Sequence, residues 1–200
     1  QDTPYADASL PSSGAPENIP VTVSDEKNDT QNVKPTPGGA QKPTPSDSNK
    51  LQYIRASAPK NSSDVVYESP DGSRTRRTGG TRAWRNLNPG NLRYSDFSKR
   101  AGAIGRAGGF AVFPDEETGM RAINALLRTD TYSNLTIAGA ISRYAPPTEN
   151  NTAAYNRKIE RLTGLSINRR VRDLSDAEIS RMARAIREIE GWSPGRITKG

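Results

Sequence analysis

The 200-residue chain contains no cysteine and no histidine. That excludes disulfides, thiolate nucleophiles, the usual zinc ligand sets, and every Ser-His or Cys-His relay. Neither a metal nor another cofactor is expected. Carboxylates, asparagine amides and tyrosine hydroxyls remain to carry any chemistry. Aromatic residues are scarce at 6%, with two Trp and three Phe in the chain. No apolar run approaches the roughly 20 residues of a membrane-spanning helix, so no membrane span is expected. No stretch has the basic, apolar, small-residue order of a secretory leader. The first residue is Gln rather than Met, as expected of a processed product or part of something longer.

The scarce residues are unevenly placed. Both Trp and all three Phe lie beyond residue 80, whereas 10 of the 15 Pro lie before it. Residues 1–80 are rich in Ser, Thr, Asp, Asn and Pro, a composition that buries too little apolar surface to offset chain entropy. They read as an extended arm or linker that contacts other proteins. The run "VKPTPGGAQKPTPSDS" favours polyproline-like extension. Within the arm, "DVVYES" (64–69) reads as a short strand that packs on a partner, and "SRTRRTGGTRAW" (73–84) as a hinge.

Charge divides at the same place. Residues 1–80 carry nine Lys/Arg against ten Asp/Glu, and residues 81–200 carry twenty against twelve. The second part is therefore at +8, and seventeen of its cations are Arg. Such a surface suits a polyanion: nucleic acid, an acidic protein surface, or the anionic cell wall. It equally suits plain solubility.

Residues 81–200 read as one small α+β domain, a β-hairpin followed by a mostly helical cluster. "NLRYSDF" and "GGFAVF" read as hairpin arms joined by "KRAGAIGRAGG". Four helical patterns follow. "PDEETGMRAINALLRTD" opens on Pro and acids that suit a helix start. "TIAGAISRYA" has Thr136 as N-cap and Pro146–Pro147 as its stop. "NTAAYNRKIERLTG" ends on Gly164. "SDAEISRMARAIREIEG" carries the capping box Ser175…Glu178 and closes at Gly191.

The candidate site begins at "RNLNPGNLRYS" (85–95). Asn86, Asn88 and Asn91 offer both donors and acceptors, which match sugar hydroxyls and acetamido groups. They also favour turns, and Pro89-Gly90 suits a tight turn with Gly at positive φ. A second polar loop, "SRYAPPTENNTAAY" (142–155), brings Arg143, Tyr144 and Glu149 between two helices. Either it walls a cleft, or its prolines simply end one helix and Asn151 caps the next.

Taken together, "RNLNPGNLRY", "GGFAVFPDEETGMRAINALLRT", "ISRYAPPTENNTAAYNRKIERLTGL" and "AIREIEG" resemble, in order and spacing, a family of phage virion structural proteins described as lytic-transglycosylase-like. The resemblance covers residues 82–192 and leaves the arm outside. It implies a lysozyme-like domain at 81–200, carried on the virion, that meets peptidoglycan during genome entry. It further implies a single catalytic carboxylic acid that protonates a glycosidic oxygen, assisted by the sugar's acetamido group or 6-hydroxyl. A two-carboxylate glycosidase would instead need a second acid at a fixed separation.

Glu190 is the first candidate for that acid. It ends a helix, where the dipole disfavours an anion, and Trp192 follows it as a desolvating neighbour; both effects raise a carboxyl pKa. The alternative is an exposed residue paired with Arg187 or Arg184. Glu117 and Glu149 are the next candidates. Asn86, Asn88, Asn91, Arg93, Tyr144 and Glu149 are the expected glycan-binding residues. In lysozyme-like enzymes the acid helix precedes the hairpin, so here Glu190 must fold back beside Asn88–Asn91. Two other classes compete: a non-catalytic structural or adaptor protein of the capsid, portal or tail, and a nucleic-acid binder. The last lacks any helix-turn-helix, zinc or RNP signature.

Overall fold

A computed structural model describes residues 53–148 and 150–200. Six strands form one mixed sheet in the order β5-β4-β1-β2-β3-β6. β1 (Arg55–Ser57), β2 (Val65–Glu68) and β3 (Arg74–Thr78) form an antiparallel meander. The hairpin β4 (Gly105–Ala107) and β5 (Phe110–Val112) joins this meander by parallel pairing of β4 with β1. β6 (Arg196–Lys199) returns from the end of the chain to pair antiparallel with β3.

This overturns the expected lysozyme-like, mostly helical domain with a lone hairpin after an extended arm. Three strands of the sheet lie at 55–78, within the stretch read as arm. "DVVYES" pairs inside its own sheet, and the expected hinge at 73–84 contains β3. The reason is local. Strands of three to five residues leave little alternation to see, and β3 (RTRRT) hides its own. Thr75 and Arg77 face the core side, Arg74 and Arg76 the open side. Arg77 reaches that side by laying its guanidinium 4.6 Å from the centroid of the Trp84 ring and donating from Nη1 to the Trp84 carbonyl at 2.7 Å.

The hairpin also differs. Its first strand lies inside the glycine-rich loop rather than at 91–97. Ser95 and Ser98 form a reciprocal capping box that turns Asp96–Arg100 into a helix, α2. Residues 92–94 still run beside β5: Ala111 donates to the Leu92 carbonyl and Tyr94 to the Gly109 carbonyl. A one-turn helix, α1 (Arg82–Arg85), precedes them.

The four expected helices form as α3 (Glu116–Arg128), α5 (Ile137–Tyr144), α6 (Thr152–Thr163) and α7 (Asp176–Glu190), with a short α4 (Asp130–Ser133) after α3. Thr136, Asn151 and Ser175 cap as the sequence announces, and Asp115 caps α3 where the sequence suggested a start at Pro114; each accepts from an N3 backbone N–H. Gly164 ends α6 in the left-handed region at φ 68°. Ala56, Val65 and Tyr67 of the sheet join Ile123, Leu127, Ile141, Ile159, Met182 and Ile186 of the helices in one buried cluster.

Candidate functional site

The turn at 88–91 is built from its own sequence. Asn91 N–H donates to the Asn88 carbonyl at 3.0 Å. Pro89 and Gly90 sit between them, but the left-handed residues are Leu87 (φ 50°) and Asn91 (φ 47°), not Gly90. Asparagine tolerates that region better than most residues. Gly90 is required for a different reason. A Cβ there would lie 2.5 Å from the Tyr144 hydroxyl and 2.8 Å from Ile123 Cγ1. The glycine lets α3 and α5 close on the turn, and the Tyr144 hydroxyl donates to the Gly90 carbonyl.

The three asparagines divide. Asn88 is wholly buried; its Nδ2 donates to the carbonyls of Leu92 and Ala111, each at 2.9 Å, and its Oδ1 accepts from Leu92 N–H at 2.9 Å. Asn86 is buried too, with Nδ2 directed at the Ala111 carbonyl at 3.4 Å. Both amides are committed to backbone and serve as the fastening between turn and β5, which corrects their reading as glycan ligands. Asn91 differs. Its Nδ2 donates to Glu190 Oε2 at 3.0 Å. Its Oδ1 is buried without a hydrogen-bond partner among the described residues.

Glu190 therefore stands directly across from the turn, although 99 residues separate it from Asn91. Its other oxygen, Oε1, accepts from the Tyr155 hydroxyl at 2.9 Å. The carboxylate is half-buried, at the last residue of α7. Gly191 follows at φ 85°, a backbone region that favours glycine. Beneath the carboxylate, Tyr144 and Tyr155 meet edge-on, with ring centroids 6.5 Å apart. Both hydroxyls are held well above the usual tyrosine range, first by burial and then by the Glu190 charge. They act only as neutral donors at any ordinary pH.

Tyr155 is the site residue that sequence reasoning missed. It sits on the apolar face of α6, four residues before buried Ile159, and its ring belongs to the core. Only its hydroxyl end belongs to the site. The usable signal was a tyrosine at a core position, since a buried phenol ordinarily finds a polar partner.

The remaining candidates scatter. Arg93 lies over the Phe110 ring, 4.8 Å from its centroid, with Arg82 over the same ring at 4.1 Å. Glu117 pairs with Arg121 at 2.7 Å on an exposed face of α3. Glu149 falls outside the described residues. Trp192 is stacked by the Arg187 guanidinium at 4.7 Å, and Arg187 pairs with Glu116 at 2.6 Å rather than with Glu190. Among the described residues no group of three or more carboxylates is placed to hold a metal, and no helix is long and apolar enough to cross a membrane.

Chemically the site is one half-buried carboxylate gripped by an amide and a phenol. Comparison of the chain with family models, with curated proteins and with solved structures gives no match.

Proposed function

We propose that the chain is a phage virion protein whose folded unit works on peptidoglycan glycan strands during genome entry. Glu190 is the proton-carrying group of a lytic-transglycosylase or muramidase type of cleavage. The observation that carries this reading is the meeting of Glu190, Asn91 and Tyr155 at one half-buried carboxylate. Its chemistry is transfer of the Glu190 proton to a glycosidic oxygen, with Asn91 and Tyr155 fixing the carboxyl's direction. This chemistry needs no lysozyme-like fold. One carboxylate suffices where the sugar's own acetamido group or 6-hydroxyl assists.

The test is clearing of purified peptidoglycan by the full chain. Wild type should clear, and Glu190→Gln should lose about 10²-fold or more, as expected for a general acid. Full activity in Glu190→Gln would remove the acid from its role.

A second reading is a non-catalytic structural or adaptor protein of the virion. It is favoured by the fact that both Glu190 oxygens already accept hydrogen bonds from the protein, which is also how a structural cross-link between α6, α7 and the 88–91 turn is made. On that reading the wild type clears nothing, and Glu190→Gln and Tyr155→Phe lower thermal stability instead.

A further inference from the structure

The sheet has a second surface, away from the Glu190 site's residues. Strand register places Arg55, Glu68 and Arg74 side by side in one row, and Ser57, Val66, Arg76 and Thr198 in the next. Paired residues share a face of the sheet, and this is the face opposite buried Ala56, Val65 and Tyr67. A groove of about 460 Å³ lies on it, lined by Arg55, Arg74 and Arg76 beside Glu68. Thr198, Lys199 and Gly200 also belong to its lining, but Lys199 pairs with Thr75 and so belongs by register to the other face. The guanidinium groups are available to solvent: the Arg74 side chain is 68% exposed and Arg76 50% exposed. Their ion pairs are loose or marginal, Arg74 to Glu68 at 3.9 Å and Arg76 to Asp64 at 3.3 Å. Exposed pairs of this kind are weak and yield to a better anion.

We infer that this groove binds a linear polyol-phosphate polymer, the anionic phosphodiester chain of a bacterial wall. Guanidinium groups match phosphate oxygens in bidentate fashion, and Ser57 and Thr198 supply hydroxyls for the polyol. Charge complementarity selects a polyanion. One further feature selects among polyanions: the lining contains no aromatic side chain. Single-stranded nucleic acid is ordinarily held by stacking its bases on aromatic rings, and a polyol phosphate has no bases to stack. The wall as source of the polymer rests on the proposed function; the groove's chemistry does not.

The test is binding of purified poly(glycerol phosphate) to the full chain, measured by calorimetry at several salt concentrations. Three contacts predict a log–log salt slope of about −2. The triple variant Arg55→Gln, Arg74→Gln, Arg76→Gln should bind at least tenfold more weakly, each single variant proportionately less, and the matching triple Lys variant should keep the salt slope while binding more weakly than wild type and more tightly than the triple Gln variant. All should clear polymer-free glycan strands as wild type does. Equal binding by the triple Gln variant, or no binding by wild type at low salt, overturns the proposal. So does tighter binding of poly(dT) of matched phosphate number, which would make the groove a nucleic-acid surface. Glu190→Gln should bind the polymer normally, so a failure of the cleavage reading and a failure of the groove are read on separate variants.

Discussion

Asn88 and Asn91 occupy the same four-residue turn and have opposite jobs. Asn88 satisfies one backbone N–H and two carbonyls in a site without water access. Its removal leaves those groups buried and unpaired. Asn88→Ala should therefore lower unfolding free energy by roughly 2–4 kcal/mol in urea titration. Asn91 makes one side-chain bond, to Glu190, and its backbone sits at positive φ. Asn91→Gly keeps that backbone unstrained, so stability should change by about 1 kcal/mol or less, while glycan clearing falls. Equal stability losses in the two variants would mean that Asn91 is a fastening as well. Neither assignment was legible in "RNLNPGNLRYS", because an asparagine side chain reads alike whether it caps its own turn or faces a ligand. The discrimination came from Ala111 and Glu190, residues 23 and 99 positions away.

At the scale of elements, the helices declare themselves. α7 carries Ser175 and Glu178 in reciprocal capping, with Glu178 also bridged to Arg169 at 2.6 Å. The Arg169 hydrogen bond, with the Ser175 backbone N–H, lowers the Glu178 carboxyl from 4.5 to about 2. A depressed folded value means its contribution is present above pH 4.5 and is lost as pH falls through about 2. Protection of the first-turn amides of α7, taken relative to the intrinsic exchange rate at each pH, should fall over that window, and in Glu178→Gln it should already be lower at neutral pH with little further change on acidification. An unchanged acid response in Glu178→Gln would assign the effect to another carboxylate. The strands were harder to read. Three to five residues give only one to three inward positions, and in β3 these are Thr75 and Arg77. The burial of Arg77 is made tolerable by Trp84 and Tyr67, its ring partners, which no local pattern could announce.

Across the whole molecule, the sheet is two pieces joined at one seam. The β1–β2–β3–β6 piece meets the β4–β5 hairpin only where Ala56 pairs with Gly105 and Ser57 with Arg106. A Cβ on Gly105 would lie 2.0 Å from the Ala56 carbonyl oxygen, and since that oxygen is backbone, a strand must move. Gly105→Ala should cost roughly 1–3 kcal/mol, with hydrogen exchange rising first in β1, β4 and β5. Exchange confined to β4 and β5 would show that the seam is not where the two pieces are coupled. The same seam brings residues 55–78 into the core, the part of the fold furthest from what the sequence suggested. Composition placed them with the Pro- and Ser-rich arm, because averaging over eighty residues conceals a twenty-four-residue meander.

The sequence by itself determined the four longer helices, most of their caps, the basic balance after residue 80, and the absence of thiol and imidazole chemistry. These depend on residues within a few positions of one another, or on composition alone. Only the tertiary structure decided that 55–78 forms half of the sheet, that Gly90 is small for Tyr144 rather than for its own φ, and that Tyr155 and Asn91 share Glu190. Each of these joins residues 35 or more positions apart or sets a face by pairing. Hydrogen bonding and close packing act over a few ångströms of space, and chain separation carries no information about which distant groups will come that near.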